Sequence, residues 1–79
     1  MKTLAYYELK VIRVNGLTVE TVSIHQYQDL SLAQNMANFH ANRDIKNGHF
    51  ECDIHAVYSN GLNNPLSYRK LARITGKGV

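Results

Sequence analysis

Residues 4–14 mix Leu4, Tyr6, Tyr7, Val11, Ile12 and Val14, types that favour strands because their bulk packs on a pleated surface. Val14-Asn15-Gly16-Leu17 follows, and Asn with Gly tolerates the positive φ that both central positions of a type I′ turn need. Residues 17–27 continue as a second strand, so the start of the chain predicts a β-hairpin. A two-residue turn at Asn15-Gly16 would set the pairing. One face then carries Tyr7 opposite Ile24, Leu9 opposite Val22 and Val11 opposite Glu20. The other carries Tyr6 opposite His25, Glu8 opposite Ser23, Lys10 opposite Thr21, Ile12 opposite Val19 and Val14 opposite Leu17. The first face is apolar away from the turn and the second is apolar at the tip. Either a bulge shifts the register or both faces contact something.

Beyond the hairpin the apolar positions take up helical spacing. Leu32, Ala33, Met36, Ala37, Phe39 and His40 fall on one arc of a helical wheel, with Gln34, Asn35, Asn38 and Asn42 opposite. Ser31 with Gln34 fits a capping box, Asp29 is a competing cap, and Gly48 suits the left-handed position that ends a helix. Residues 49–58 then alternate cleanly. Phe50, Cys52, Ile54, Ala56 and Tyr58 point one way, and His49, Glu51, Asp53 and His55 the other, as in a half-buried antiparallel strand.

Residues 59–64 read as a turn, with Asn60-Gly61 and Asn63-Asn64 ahead of Pro65. Residues 66–74 read two ways. Asn64 as N-cap, Pro65 at the first position and Gly76 at the end favour a short helix. Its wheel sets Tyr68, Leu71, Ala72 and Ile74 against Arg69, Lys70, Arg73 and Lys77. As a strand, Leu66, Tyr68, Ala72 and Ile74 would share a face broken by Lys70. The pattern predicts an α+β fold over residues 1–79 as a single domain: a small antiparallel sheet of three or more strands with one main helix on a face. Tyr7, Leu9, Val22, Ile24, Leu32, Met36, Phe39, Phe50, Cys52, Ile54 and Tyr58 are the expected core.

A chain of 79 residues with 44% hydrophobic positions has one modest core and argues against a large enzyme with an enclosed cofactor cavity. Its net charge of +3 is unevenly spread: residues 1–53 carry five basic and six acidic side chains, whereas residues 54–79 carry Arg69, Lys70, Arg73 and Lys77 and no acid. Such an end can face phosphate, an acidic protein surface or water. Cys52, the single cysteine, cannot close an intrachain disulfide. Glu8 and Lys10 interrupt the apolar start, and no apolar run reaches bilayer length, so the expected address is cytoplasmic with no membrane partner.

Few residue patterns point to chemistry. His49-x-x-Cys52-x-x-His55 has metal-motif spacing, but Cys52 faces away from both histidines in an unbroken strand. His49, Glu51, Asp53 and His55 share a face, with Asp53 and His55 the best chelating pair, yet nothing completes a coordination sphere; a solvated polar face is the simpler reading. His40 fits a partly buried, hydrogen-bonded histidine, since no nucleophile or carboxylate sits at catalytic spacing. Cys52 reads as a small buried hydrophobe. Gly76-Lys77-Gly78 is too short to cradle phosphate. No catalytic residue, metal or cofactor is expected, and the chain does not read as an enzyme.

Nucleic-acid signals are partial. Residues 68–76 look like the first helix and turn of a helix-turn-helix, but the recognition helix that would enter the major groove is missing. Tyr6, beside Lys10 and His25 on the predicted hairpin face, could stack on a base, with Glu8 in the middle of the patch. A stronger surface signal is Ile12, Val14, Leu17 and Val19 at the tip. Either the C-terminal segment or a second protomer covers them, or they form an apolar patch rimmed by Lys10, Arg13 and Tyr6, as protein-binding sites do.

The order strand, Asn-Gly turn, strand, helix, strand resembles small phage-encoded anti-CRISPR proteins that inhibit type I systems. The likeness is carried by the strand near Ala5-Tyr6-Tyr7, the helix opening Leu30-Ser31-Leu32-Ala33, the strand over residues 50–57 and the hairpin at Asn60-Gly61. It implies a curved antiparallel sheet holding one helix, residues 66–74 as a strand, and steric blocking of a CRISPR surveillance complex where target DNA binds. The many Asn and the basic end depart from strongly acidic DNA-mimicking inhibitors, so mimicry of DNA charge is not the implied mechanism.

Two functions follow as expectations. One is a non-enzymatic binding protein, encoded by a phage or mobile element, that acts in the host cytoplasm by inhibiting a host protein or ribonucleoprotein complex. It would use Ile12, Val14, Leu17 and Val19 as anchors and Lys10, Arg13, Arg69, Lys70 and Arg73 as complementary charge. The alternative is a nucleic-acid-binding accessory protein with the same cations on phosphates. A metal-assisted enzyme using His49, Asp53 and His55 is a third, weaker reading, and a homodimer is compatible with any of them.

Overall fold

The computed structural model describes residues 3–59 and 66–76. Its elements are β1 (Thr3–Asn15), β2 (Thr18–Tyr27), α1 (Leu30–Ala41), β3 (His49–Ser59) and β4 (Ser67–Thr75). The strands form one antiparallel sheet in the order β2-β1-β3-β4, with α1 packed on one face. This is the α+β arrangement expected. β2 and β3 both pair antiparallel with β1, so they run parallel to each other on either side of it. Parallel strands need a crossover, and α1 supplies it, which fixes the helix to one face.

The hairpin forms, but its turn sits one residue later than the Asn-Gly signal indicates. Asn15 pairs with Thr18 and Val14 with Val19, leaving Gly16 and Leu17 as the central residues. Gly16 takes φ +62°, and glycine at the first central position is what a type II′ turn requires. Near the tip the correction moves each partner by two residues, so there each side chain keeps its face. Further along, Val11 pairs with Ser23 and Ile12 with Thr21, which leaves Val22 as a bulge. Of the two expected explanations for the mixed faces, the bulge is the one the structure contains. It turns His25 and Tyr27 toward the helix and Ile24 away from it. Val22 and Ile24 therefore lie outside the core, 46% and 55% exposed.

The centre of the molecule is Leu9, Val11, Ala33, Ala37, Ala41, Cys52 and Ile54, ringed by Tyr7, Tyr27, Leu30, Met36, Phe50 and Ile74. The helix packs through Ala33, Ala37 and Ala41, spaced four apart, rather than through Leu32 and Phe39, which are exposed. Small side chains let the helix axis approach the sheet closely, and the flanking large residues are left at its rim. Asp29, not Ser31, is the N-cap: its Oδ1 accepts from the Ser31 N–H at 3.0 Å, and its carbonyl accepts from Ala33. The helix stops at Ala41, well before Gly48, with Asn42 donating from its backbone and its side-chain amide to the Asn38 carbonyl. Gly48 does adopt a left-handed φ of +85°, but immediately before β3, where its α-carbon lies against the Val14 carbonyl.

Residues 67–75 are a strand, not a helix. Pairing with β3 overrides the local helix pattern, and Asn64 and Pro65, which carried much of that pattern, lie outside the described residues. Ile54 pairs with Ala72 and His55 with Lys70, so Leu71 is bulged out. That extra residue resolves the broken face: Ala72 and Ile74 turn to the helix side, while Tyr68 and Lys70 turn to the other. Gly76 donates to the Phe50 carbonyl at 2.8 Å and lies directly against the Ala41 carbonyl, where a Cβ would collide with backbone.

Candidate interaction surface

Among the described residues no element packs on the face of the sheet away from α1, although Ile12 and Val57 on it are buried by their neighbours, and strand pairing arranges it in rows. Val19, Val14 and His49 form one row at the hairpin end, followed by Thr21, Ile12, Glu51 and Thr75. Next come Ile24, Lys10, Asp53 and Arg73, then Gln26, Glu8, His55 and Lys70, and finally Tyr6, Val57 and Tyr68. The face thus runs from aliphatic at the β2 corner, through charged in the middle, to aromatic at the far end.

The charged centre is organised around Asp53, which is buried beneath longer neighbours. The Arg73 guanidinium forks onto it, with Nε donating to Oδ1 at 2.7 Å and Nη2 to Oδ2 at 2.9 Å. Lys70 Nζ lies 3.7 Å from the same carboxylate, Arg73 Nη1 lies 3.5 Å from Glu51, and His49 Nε2 meets Glu51 at 2.9 Å. In a regular strand Lys70 and Arg73, three apart, would point to opposite faces; the Leu71 bulge brings both to Asp53. The Arg73 hydrogen bonds hold the Asp53 carboxyl below its ordinary range against the opposing effect of burial, assisted by the charges of Arg73, Lys70 and His55. Arg73 is raised by the same contacts.

His49, Glu51, Asp53 and His55 therefore share a face as expected, but both carboxylates already have cationic or imidazole partners. Among the described residues no three His, Cys, Asp or Glu side chains gather to hold a metal ion. His40 is buried as expected, but among the described residues neither ring nitrogen meets a hydrogen-bond partner, and the ring stacks on His25 at 5.2 Å and 14°. Burial, then Arg43 and His25, lower its pKa. Cys52 is fully buried, and burial pushes its thiol up to about 11.

The predicted interface residues separate into groups. Lys10, Ile12, Val14 and Val19 lie on the open face, as do Lys70 and Arg73 at its opposite edge. Arg13 lies on the helix side, ion-paired with Glu20, and Arg69 falls on that side too, opposite Ala56. Ile12 is buried between the central strands, at 8% exposure, and Val14 is half-buried. Leu17 is fully exposed at the turn and Val19 is 64% exposed. Val22 and Ile24 are exposed as well; the change of apolar face along the hairpin signals a bulge but not its position, so both read as core in the sequence. Lys10 and Arg69 make no ion pair among the described residues. Tyr6 is half-buried on the open face with its pKa raised, mainly by burial and then by Tyr68 and Glu8. His25, expected beside it, is on the helix side.

Among the described residues no helix is long and apolar enough to cross a membrane. No known family matches the chain, and no curated protein or solved structure matches it either. The anti-CRISPR resemblance rests on the residues already quoted for it.

Proposed function

We propose that this protein is a non-enzymatic binding module, encoded by a phage or mobile element, that inhibits a host assembly by steric protein–protein contact. A type I CRISPR surveillance complex is the proposed target. The observation that carries the reading is the run of exposed aliphatics along the turn and outer strand of the hairpin, Leu17, Val19, Val22 and Ile24, with half-buried Val14 opposite Val19. Fully burying one such side chain contributes roughly 1.5–3 kcal/mol; Val19, Val22 and Ile24 are already about half covered, so each adds about half of that on docking and fully exposed Leu17 adds the most. Lys10, in the row shared with Ile24, adds a cation at the rim where complementary charge steers encounter.

The nucleic-acid alternative is less well supported. Two of the cations it requires, Lys70 and Arg73, are engaged by Asp53 and Glu51, and the open face carries as many acids as bases. The test is inhibition of target-DNA binding by a purified type I surveillance complex. Wild type should abolish binding, and the Leu17→Asp/Val19→Asp double variant should not, while naked DNA and RNA stay unshifted at low salt. Undiminished target binding in micromolar excess of wild type, or equal inhibition by the double variant, would overturn the proposal. A log-linear loss of naked nucleic-acid binding with salt would favour the alternative.

A further inference from the structure

The sheet has two edges, and they differ in chemistry. β4 presents Arg69, Lys70 and Arg73 along nine residues, so a self-paired β4 would set cation near cation. β2 presents ten residues whose only acidic or basic side chains are Glu20 and His25, and Val19, Val22 and Ile24 stand exposed along it. Alternate residues of an edge strand direct their backbone groups outward, so β2 offers roughly five N–H and five C=O groups to another strand.

The bulge at Val22 selects the occupant. Thr18, Glu20, Ser23, His25 and Tyr27 lie toward the helix side, and Val19, Thr21, Ile24 and Gln26 toward the open side. An antiparallel copy of the same strand preserves both faces at eight of the ten residues in one register, centred on the bulge between Val22 and Ser23. Thr18 then lies opposite the partner's Tyr27, Val19 opposite the partner's Gln26, and Thr21 opposite the partner's Ile24. Glu20 lies opposite the partner's His25, on the same face, and the two-fold repeats that contact. Shifting by one residue puts helix-side positions against open-side ones; shifting by two shortens the ladder.

We propose that β2 pairs with β2 of a second copy of this chain in this register, making one continuous eight-stranded sheet with both helices on the same face. The interface uses backbone pairing along the edge of β2, and it brings Glu20, which already pairs with Arg13 of its own chain, next to the partner's His25.

The test is mass in solution by sedimentation velocity over a concentration series. Wild type should move from the 9.0 kDa species to one of twice that mass. Val22→Lys and Val22→Glu each bring like charges together near the two-fold axis, and each should raise the dimer dissociation constant roughly tenfold or more. Mixing the two variants should restore a dimer, which a folding failure would not do, and circular dichroism should show both folded. Arg69→Glu on the opposite edge should leave the dimer intact. A wild type that stays monomeric up to millimolar concentration overturns the proposal. So does a dimer that ignores Val22 or is lost only with Arg69→Glu.

Discussion

Phe39 lies on the apolar arc that a helical wheel assigns to the core, yet it is 60% exposed, while Ala37 on the same helix is fully buried. The contrast makes Phe39→Ala a quantitative test of how the helix is rotated. Fully burying a Phe side chain contributes roughly 1.5–3 kcal/mol, and about two-fifths of Phe39 is covered, so truncation should cost about 1 kcal/mol. The edge contact of its ring on His40, at 5.4 Å and 73°, keeps the cost above zero. For a domain of this size that is a fall in Tm of roughly 4–8 °C. A Phe in the core would cost about 3–5 kcal/mol, a large part of a total stability of roughly 4–12 kcal/mol. Ala37→Leu is the reciprocal perturbation: three added carbons against Leu9, Cys52 and Ile54 should cost about 1–3 kcal/mol. Urea and thermal unfolding followed by circular dichroism measure both. A loss of 3 kcal/mol or more for Phe39→Ala, with Ala37→Leu neutral or stabilising, would refute the alanine-faced packing.

Other outcomes follow from the same contacts. His40 and Asp53 both have folded-state pKa values below their ordinary ones, so their contributions are complete above the unfolded values and are lost as pH falls. Stability should decline first below pH 6.5 through His40 and again below pH 3.8 through Asp53; His40→Phe should flatten the first step, and a wild-type curve level from pH 7.5 to 5 would count against it. Cys52, with its thiol near 11 and no exposure, should resist alkylation in the native protein and react fully in denaturant; equal rates would contradict its burial. Gly16→Ala should cost about 1–2 kcal/mol for its left-handed backbone in open space, whereas Gly76→Ala should cost more, because its Cβ meets the Ala41 carbonyl. Equal midpoints in urea would show that the helix end does not press on Gly76.

The candidate surface was partly legible. The alternation of residues 49–58 placed Glu51 and Asp53 on one face correctly, but nothing local to either residue indicates that Arg73 closes on Asp53 from the neighbouring strand. Ile12, Val14 and Val19 share a face as the pattern predicts despite the displaced turn, because an even shift in register preserves faces, whereas Leu17, predicted beside them, sits in the turn itself. The predicted pairing puts Ile24 and Val22 in the core and His25 on the open side; instead Ile24 and Val22 are exposed and His25 faces the helix. All three errors come from one extra residue in β2.

What the sequence by itself determined is the set of elements whose signals are periodic and local: a hairpin about a glycine, a helix after Asp29, a strand from His49, and the α+β class they compose. Tertiary structure decided the rest. Three register irregularities, one in β1 between Leu4 and Tyr6, one in β2 and one in β4, set which strand residues face the helix, and pairing with β3 made residues 67–75 a strand despite a helix-like wheel. Close approach selected the alanine stripe of α1 over its larger neighbours. A bulge is a mismatch between two strands, and an approach distance belongs to two elements at once, so neither is written in the periodicity of either segment alone.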